Sequence, residues 1–279
     1  MVLPNLVVIG AAKCGTTSLH EYLDVHPEVS MSREKELNFF VEGKNWERGL
    51  DWYESRFSRS ATIRGESSPT YSAYPFHAGV PERISRVLPG VKILYLVRDP
   101  IDRIVSHYQH RSVRYPEMGS LEDALQDSEL RAWFVGISRY ALQLERYLDH
   151  VPREHVRVVD SDELHSRRDE TLAQIFSFLG VDSGFRSEVF DRVHNRAIGR
   201  ERRTATGRVA VNLLNRALGP QRTSTLARQT PAALKSRFRY SVERPTLSQP
   251  LRERLATELR DDVDRLRKHT GLAFAGWSL

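Results

Sequence analysis

Apolar positions along the chain alternate between continuous runs and helical spacing. Leu6-Val7-Val8-Ile9 is an unbroken apolar run ending at Gly10. Such a run marks a strand buried on both faces, as in a parallel sheet. From Gly15 onward, Leu19, Tyr22 and Leu23 fall on one helical face, and His26-Pro27 ends the pattern. Trp46 to Phe57 reads as a helix with its aromatic residues inward, and Ala61 to Gly65 as a weak strand. Pro81 suits the start of a helix carrying Ile84, Val87 and Leu88. The strongest strand signal is Val91 to Val97. It runs into Arg98-Asp99-Pro100, where Asp99 can cap and Pro100 can open a helix bearing Ile101, Ile104, Val105 and Tyr108. Further on come a helix at Tyr140 to Leu148, a strand at Val156 to Val159, and a helix from Thr171 to Leu179 closed by Gly180. Leu255, Leu259, Val263 and Leu266 mark an amphipathic helix within Leu251 to His269.

Strands alternating with helices from residue 5 to 180 predict an α/β fold, a doubly wound parallel sheet flanked by helices. No internal repeat or low-complexity linker divides the chain, so a single domain over 1–279 is the simplest expectation. Residues 182–245 break the rhythm and read as irregular loops and short helices.

Composition narrows the class. The chain has 279 residues, 40% hydrophobic and 28% charged, which excludes disorder, collagen and fibre. No stretch approaches 18 apolar residues, and the N-terminal run lacks the flanks of a signal peptide. Cys14 is the one cysteine. It allows no internal disulfide and no multi-cysteine zinc site, and a reducing cytoplasm is the expected compartment. Net charge is +6, unevenly placed: between Asp182 and Pro245, 14 basic residues face 5 acids. A local basic excess suits an anionic partner, or is simply a solvated arginine-rich surface.

Two motifs carry candidate chemistry. Gly10-Ala11-Ala12-Lys13-Cys14-Gly15-Thr16-Thr17 follows a strand and opens a helix, with the glycine spacing of a phosphate loop. Backbone amides and the positive helix end cradle an anion there, and Thr16, Thr17 and Ser18 add hydroxyls. An ATP-binding loop has its lysine directly after the second glycine. Here that place is Thr16 and the lysine is Lys13, so an anion other than a Mg²⁺-bound γ-phosphate is expected. Cys14 reads as a small residue that lets the loop pack. The second motif is Arg98, at the C-terminal end of the strongest strand, with Ser106 two helical turns on. Ligands of open parallel sheets bind at that end, and an arginine with a hydroxyl can grip one phosphate. Alone, this pair reads more simply as an arginine paired with Asp99 or another acid, and a surface serine.

Together the motifs bear a family likeness. Ala12 to Ser18 resembles the 5′-phosphosulfate loop of sulfotransferases that use 3′-phosphoadenosine 5′-phosphosulfate (PAPS). Leu96 to Pro100, continuing to Arg103 and Ser106, resembles their 3′-phosphate motif. Glu36-Leu37-Asn38-Phe39-Phe40 is similar to a segment of the carbohydrate branch, which includes heparan sulfate sulfotransferases and bacterial relatives. The resemblance implies a P-loop-like three-layer fold, PAPS as co-substrate and no catalytic metal. It implies catalytic roles for Lys13 and, as general base, Glu36. It implies PAPS contacts from Lys13, Cys14, Gly15, Thr16, Thr17, Ser18, Arg98, Ser106 and, in a late basic loop, Arg200. The acceptor is expected to be a hydroxyl, or an amine, of a carbohydrate, glycolipid or small molecule, with no nucleic-acid partner. The chain departs from the branch at Ser67, where a lysine often follows the glutamate of a segment like Glu66-Ser67-Ser68-Pro69, and at Asn38, where a histidine is usual.

Sulfuryl transfer rests on positioning and charge stabilisation, by analogy with phosphoryl transfer. A base acting on the acceptor hydroxyl contributes roughly 10²–10⁴-fold. Glu36 lies in a charge-dense stretch, Ser32 to Glu36, that reads otherwise as a solvated loop. His107 is the rival base. Neighbours on a helix point about 100° apart, so His107 is expected to face away from the target of Ser106. A P-loop kinase or NTPase is the alternative enzyme, opposed by the displaced lysine and the lack of a Walker-B strand. A basic nucleic-acid-binding module is the alternative binder, opposed by the absence of any recognisable module.

Overall fold

In the computed structural model, the described residues are 2–58, 60–191, 244–279, the strands Glu201–Arg203 and Arg239–Ser241, and positions 213, 216, 217 and 219. Five parallel strands form the central sheet: β1 (Leu6–Gly10), β2 (Val29–Met31), β3 (Ile63–Ser67), β4 (Lys92–Val97) and β5 (Val156–Asp160), in the order β2-β3-β1-β4-β5. Leu6 pairs with Gly65 on one side and with Lys92 on the other. The central strand β1 is buried at all its positions, as a continuous apolar run requires.

Helices flank the sheet: α1 (Thr16–Asp24), α2 (Gly49–Glu54), α3 (Val80–Val87), α4 (Pro100–Ser112), α5 (Leu121–Ala124), α6 (Ser128–Phe134), α7 (Tyr140–Leu148), α8 (Ser161–Ser166), α9 (Arg168–Leu179) and α10 (Gln249–Thr270). The predicted apolar face of α1 is buried at Leu19, Tyr22 and Leu23. Asp99 caps α4, its Oδ1 accepting from the Asp102 amide at 2.8 Å, with Pro100 at the first position. The main core lies between the strands and helices such as α1, α7 and α9. A second apolar cluster joins Ile101 and Ile104 of α4, Phe134 of α6, and Leu255 and Leu259 of α10.

Some expectations need correction. The Trp46–Phe57 segment is a short 3₁₀ turn followed by a six-residue helix, because Gly49 takes φ +78 between them. The strand expected at Ala61–Gly65 runs instead over Ile63–Ser67. Its polar end is hidden in the sequence because Glu66 is fully buried and accepts hydrogen bonds from Tyr53 (2.6 Å), Ser68 (2.7 Å) and Tyr71 (2.9 Å). Within 182–245, where loops and short helices were expected, Glu201–Arg203 pairs antiparallel with Arg239–Ser241. Three-residue polar strands so far apart in sequence leave no periodic signal. Residues 192–200, Arg200 included, and most of 204–238 lie outside the described residues.

Candidate anion-binding active site

β1 and β4 are neighbours whose chains leave in opposite directions, β1 toward β3 and β2, β4 toward β5. Ligands of open α/β sheets bind at such a switch point, beyond the strand C-termini. A cleft of about 940 Å³ opens there. That is within the range for small-molecule sites.

The loop after β1 forms its floor. Gly10 has φ +146, and a Cβ there would lie 2.1 Å from Ser72 Oγ, so no other residue fits without displacement. Gly15, at φ +88, is the N-cap of α1 and gives that helix no side-chain cap. The first amides of α1 and its positive dipole end therefore face the cleft. Arg98 Nη1 approaches the Lys13 carbonyl at 3.5 Å, and Arg103 Nη1 the Ala12 carbonyl at 3.4 Å. These contacts draw two carbonyl dipoles toward cations rather than toward a bound anion. Lys13, Gly15, Thr16, Thr17 and Ser18 line the cleft. Cys14 does not: its thiol is fully buried beside the Tyr140 hydroxyl at 3.7 Å, and burial pushes its pKa up. Its amide donates to the Ala11 carbonyl. Cys14 thus shapes the loop from inside, as a small packing residue.

Arg98 and Ser106 both line the cleft. Arg98 pairs with Asp102, in the first turn of α4, at 3.0 Å, and not with Asp99. Asp99 is already engaged, since its Oδ2 accepts from the amide and hydroxyl of Ser278, both at 2.6 Å. Arg98 Nε is buried without a partner, a donor that an anionic group in the cleft can satisfy. Asp102 also receives Arg244 at 2.7 Å.

His107 lines the same cleft as Ser106, contrary to the expectation that it faces away. The cleft runs along α4 past His110 and on to Val113 and Arg114 beyond the helix end, taking both residues. Burial, with Arg103 and Arg111 nearby, pushes the His107 pKa well below 6.5, so the ring is neutral at neutral pH.

Glu36 also reaches the cleft. Its residue has φ +64, a left-handed conformation that costs a non-glycine residue energy. Hydrogen bonds hold it: its amide donates to the Ser67 carbonyl at 2.9 Å, and its own carbonyl accepts from Asn38 Nδ2 at 2.7 Å. Asn38 is in turn held by the Thr70 hydroxyl. The position usually taken by histidine thus serves here as a backbone brace.

Sequence reasoning missed three features. Lys35 lines the cleft beside Glu36, although its charge-dense segment read as solvated. Ser161, Asp162 and His165 of α8 and Arg168 at the start of α9 also line it, from a helix pair with no strong periodicity. Arg103, fully buried, donates to Ser138 Oγ and the Phe134 carbonyl, both at 2.7 Å. Among the described residues, no group of three or more His, Cys, Asp or Glu side chains could hold a metal ion, and no helix is long and apolar enough to cross a membrane.

Comparison with known proteins converges on one family. The sulfotransferase domain family matches residues 3–207. Over 193 residues the chain is 30% identical to the bifunctional heparan sulfate N-deacetylase/N-sulfotransferase 1 of Caenorhabditis elegans, covering 64% of this chain and 22% of that protein. Over 190 residues it is 32% identical to the human heparan sulfate glucosamine 3-O-sulfotransferase 5, covering 64% of this chain and 54% of that protein. The chain thus spans between about a fifth and about half of the length of these curated relatives. The crystal structure of a sulfotransferase from Alicyclobacillus acidocaldarius superposes with a TM-score of 0.73 at 26% identity, covering 100% of both chains. A parallel sheet with a glycine loop at its switch point, matched over most of its length by one domain family, places this chain in the sulfotransferase family.

Proposed function

We propose that the protein moves the sulfuryl group of PAPS to a hydroxyl, or an amine, of a carbohydrate, glycolipid or small-molecule acceptor. The observation that carries the reading is the convergence of Lys13, the amide end of α1, Arg98, Ser106 and Glu36 on one cleft. The residues suit the donor. The loop and Lys13 meet the phosphosulfate, Thr16, Thr17 and Ser18 add hydroxyls, and Arg98 with Ser106 meets the 3′-phosphate. Arg98 Nε, buried and unpartnered, has a donor to offer. Cys14 contributes by packing the loop.

In the transfer, the acceptor oxygen forms a bond to sulfur as the bond from sulfur to the 5′-phosphate oxygen breaks. Lys13 and the loop amides stabilise the charge that gathers on the leaving phosphate. Glu36, more than half exposed at the cleft mouth, takes the acceptor proton. His107, neutral and packed against Arg103, is the second candidate for that proton. The lone cysteine suits work in a reducing, cytoplasmic compartment.

The test is a transfer assay with labelled PAPS, in chelator, against hydroxylated sugars, aminosugars, glycolipids and phenols. Labelled product from at least one carbohydrate or glycolipid is expected. Transfer to phenols alone would overturn the carbohydrate reading, and no transfer to any acceptor would overturn the reaction.

A further inference from the structure

Lys35 and Glu36 are adjacent in the chain, and in extended backbone their side chains would point to opposite sides. The left-handed conformation at Glu36 changes this. Lys35 Nζ lies 3.3 Å from Glu36 Oε1 and 3.4 Å from Thr16 Oγ1, on the loop that opens α1. The lysine side chain is only 20% exposed, whereas the glutamate is 53% exposed. An ion pair with so exposed a carboxylate contributes only about 0–1 kcal/mol to stability. Ordering a long lysine inside a cleft also costs conformational entropy. Stability therefore does not account for the arrangement.

We propose that Lys35 is a positioning residue for sulfuryl transfer: its ammonium bridges the anion loop at Thr16 and the carboxylate of Glu36, and holds that carboxylate at the mouth of the loop. The inference rests on the functional reading above. Lys35 exchanges no proton in the step: the acceptor proton goes to Glu36, and Lys35 stays charged throughout. Burial lowers the Lys35 pKa below the usual lysine value, and Glu36 works against that shift. The other titratable groups around it are His20 of α1, whose own pKa is lowered by burial and by Lys35, and Lys13 of the same cleft. Lys44 bears on Glu36 from the far side.

The experiment compares wild type, Lys35→Arg and Lys35→Met in pH profiles of PAPS-dependent transfer, with binding of 3′-phosphoadenosine 5′-phosphate measured alongside. Lys35→Met is expected to lower kcat at least about tenfold, with nucleotide affinity held within about threefold. Lys35→Arg is expected to restore most of kcat and to move the alkaline limb of the profile to higher pH, because a guanidinium keeps its proton. Lys13 is unchanged in all three proteins, so a displaced limb reports on position 35. Separately, NMR titration of ¹³C-labelled lysine should show the Lys35 signal titrating lower in Glu36→Gln than in wild type. Transfer by wild type together with an unmoved alkaline limb in Lys35→Arg, or an unmoved Lys35 signal in Glu36→Gln, would overturn this inference alone. Absence of transfer by wild type would overturn the functional reading, and this inference with it.

Discussion

Glu36 shows how a residue that only a family likeness singles out, and its local composition does not, comes to line a cleft. Its surroundings, Ser32-Arg33-Glu34-Lys35-Glu36, have the composition of a solvated loop. What selects it is a backbone turn at φ +64, pinned through Ser67 and Asn38. Neither pin is visible in a linear reading: Ser67 lies 31 residues away, and Asn38, only two residues on, is itself held from the segment after β3 by Ser68 and Thr70. Arg98, by contrast, was legible: the end of the strongest apolar run is where a parallel sheet binds its ligand. Its partner was not, since Asp99 and Asp102 are equally available by spacing, and only the cap geometry assigns them. If Glu36 is the base, Glu36→Gln should lower turnover by about 10²–10⁴-fold while leaving nucleotide affinity within about threefold. Rapid-quench kinetics and calorimetry on the same preparation check both halves. Unchanged turnover would hand the role to His107 or to water.

At the scale of elements, the strands legible in the sequence are those buried on both faces, β1, β4 and β5, whose apolar runs are unbroken or nearly so. β2 is three residues long, and β3 carries Glu66 into the core, where two tyrosine hydroxyls and Ser68 satisfy it. Local pattern reading discounts a glutamate, and tertiary hydrogen bonding retains it. The helix that matters most to the site is α4. Its start is fixed by Asp99, which caps the helix with one oxygen and ties the chain end through Ser278 with the other. Asp99→Ala removes both connections at once. It should cost about 1–2 kcal/mol or more, read as a lowered urea midpoint. Because Arg98 precedes the cap directly, nucleotide affinity should fall as well. A stability loss with fully retained affinity would show that Arg98 is held by its strand and by Asp102 alone.

Across the whole molecule, the site is a meeting of cations around a cleft. The α1 loop brings Lys13, the segment after β2 brings Lys35, the β4–α4 junction brings Arg98, the turn after α4 brings Arg114, and the start of α9 brings Arg168. Arg103 adds a fully buried guanidinium beneath the loop, bonded to uncharged groups. Such a constellation favours an anion before any specific contact is counted. Neighbouring groups feel it, as at His107, where burial first and then Arg103 and Arg111 push the pKa down. Stability against pH should carry a separate mark from Asp160, at the end of β5, whose burial raises its pKa to about 6. The folded state then binds a proton more tightly than the unfolded chain, where the carboxylate titrates near about 3.9. The stabilisation is complete below the unfolded value and is lost as pH rises through about 6. Relative to Asp160→Asn, wild type should gain melting temperature as pH falls from about 7 to about 5. A difference that does not change with pH would contradict the assignment.

The central claim, that this cleft is built for a nucleotide with both a 5′-anion and a 3′-phosphate, is tested most directly by calorimetry. Wild type and Arg98→Ala would be titrated with 3′-phosphoadenosine 5′-phosphate and with adenosine 5′-phosphate, in buffer containing chelator. Wild type should bind the bisphosphate saturably at one site and prefer it by about 10–100-fold, the worth of a hydrogen bond to a charged group. Arg98→Ala should lose most of that preference while keeping its weaker affinity for the monophosphate. Failure of wild type to bind the bisphosphate, or equal losses for both nucleotides in Arg98→Ala, would contradict the account.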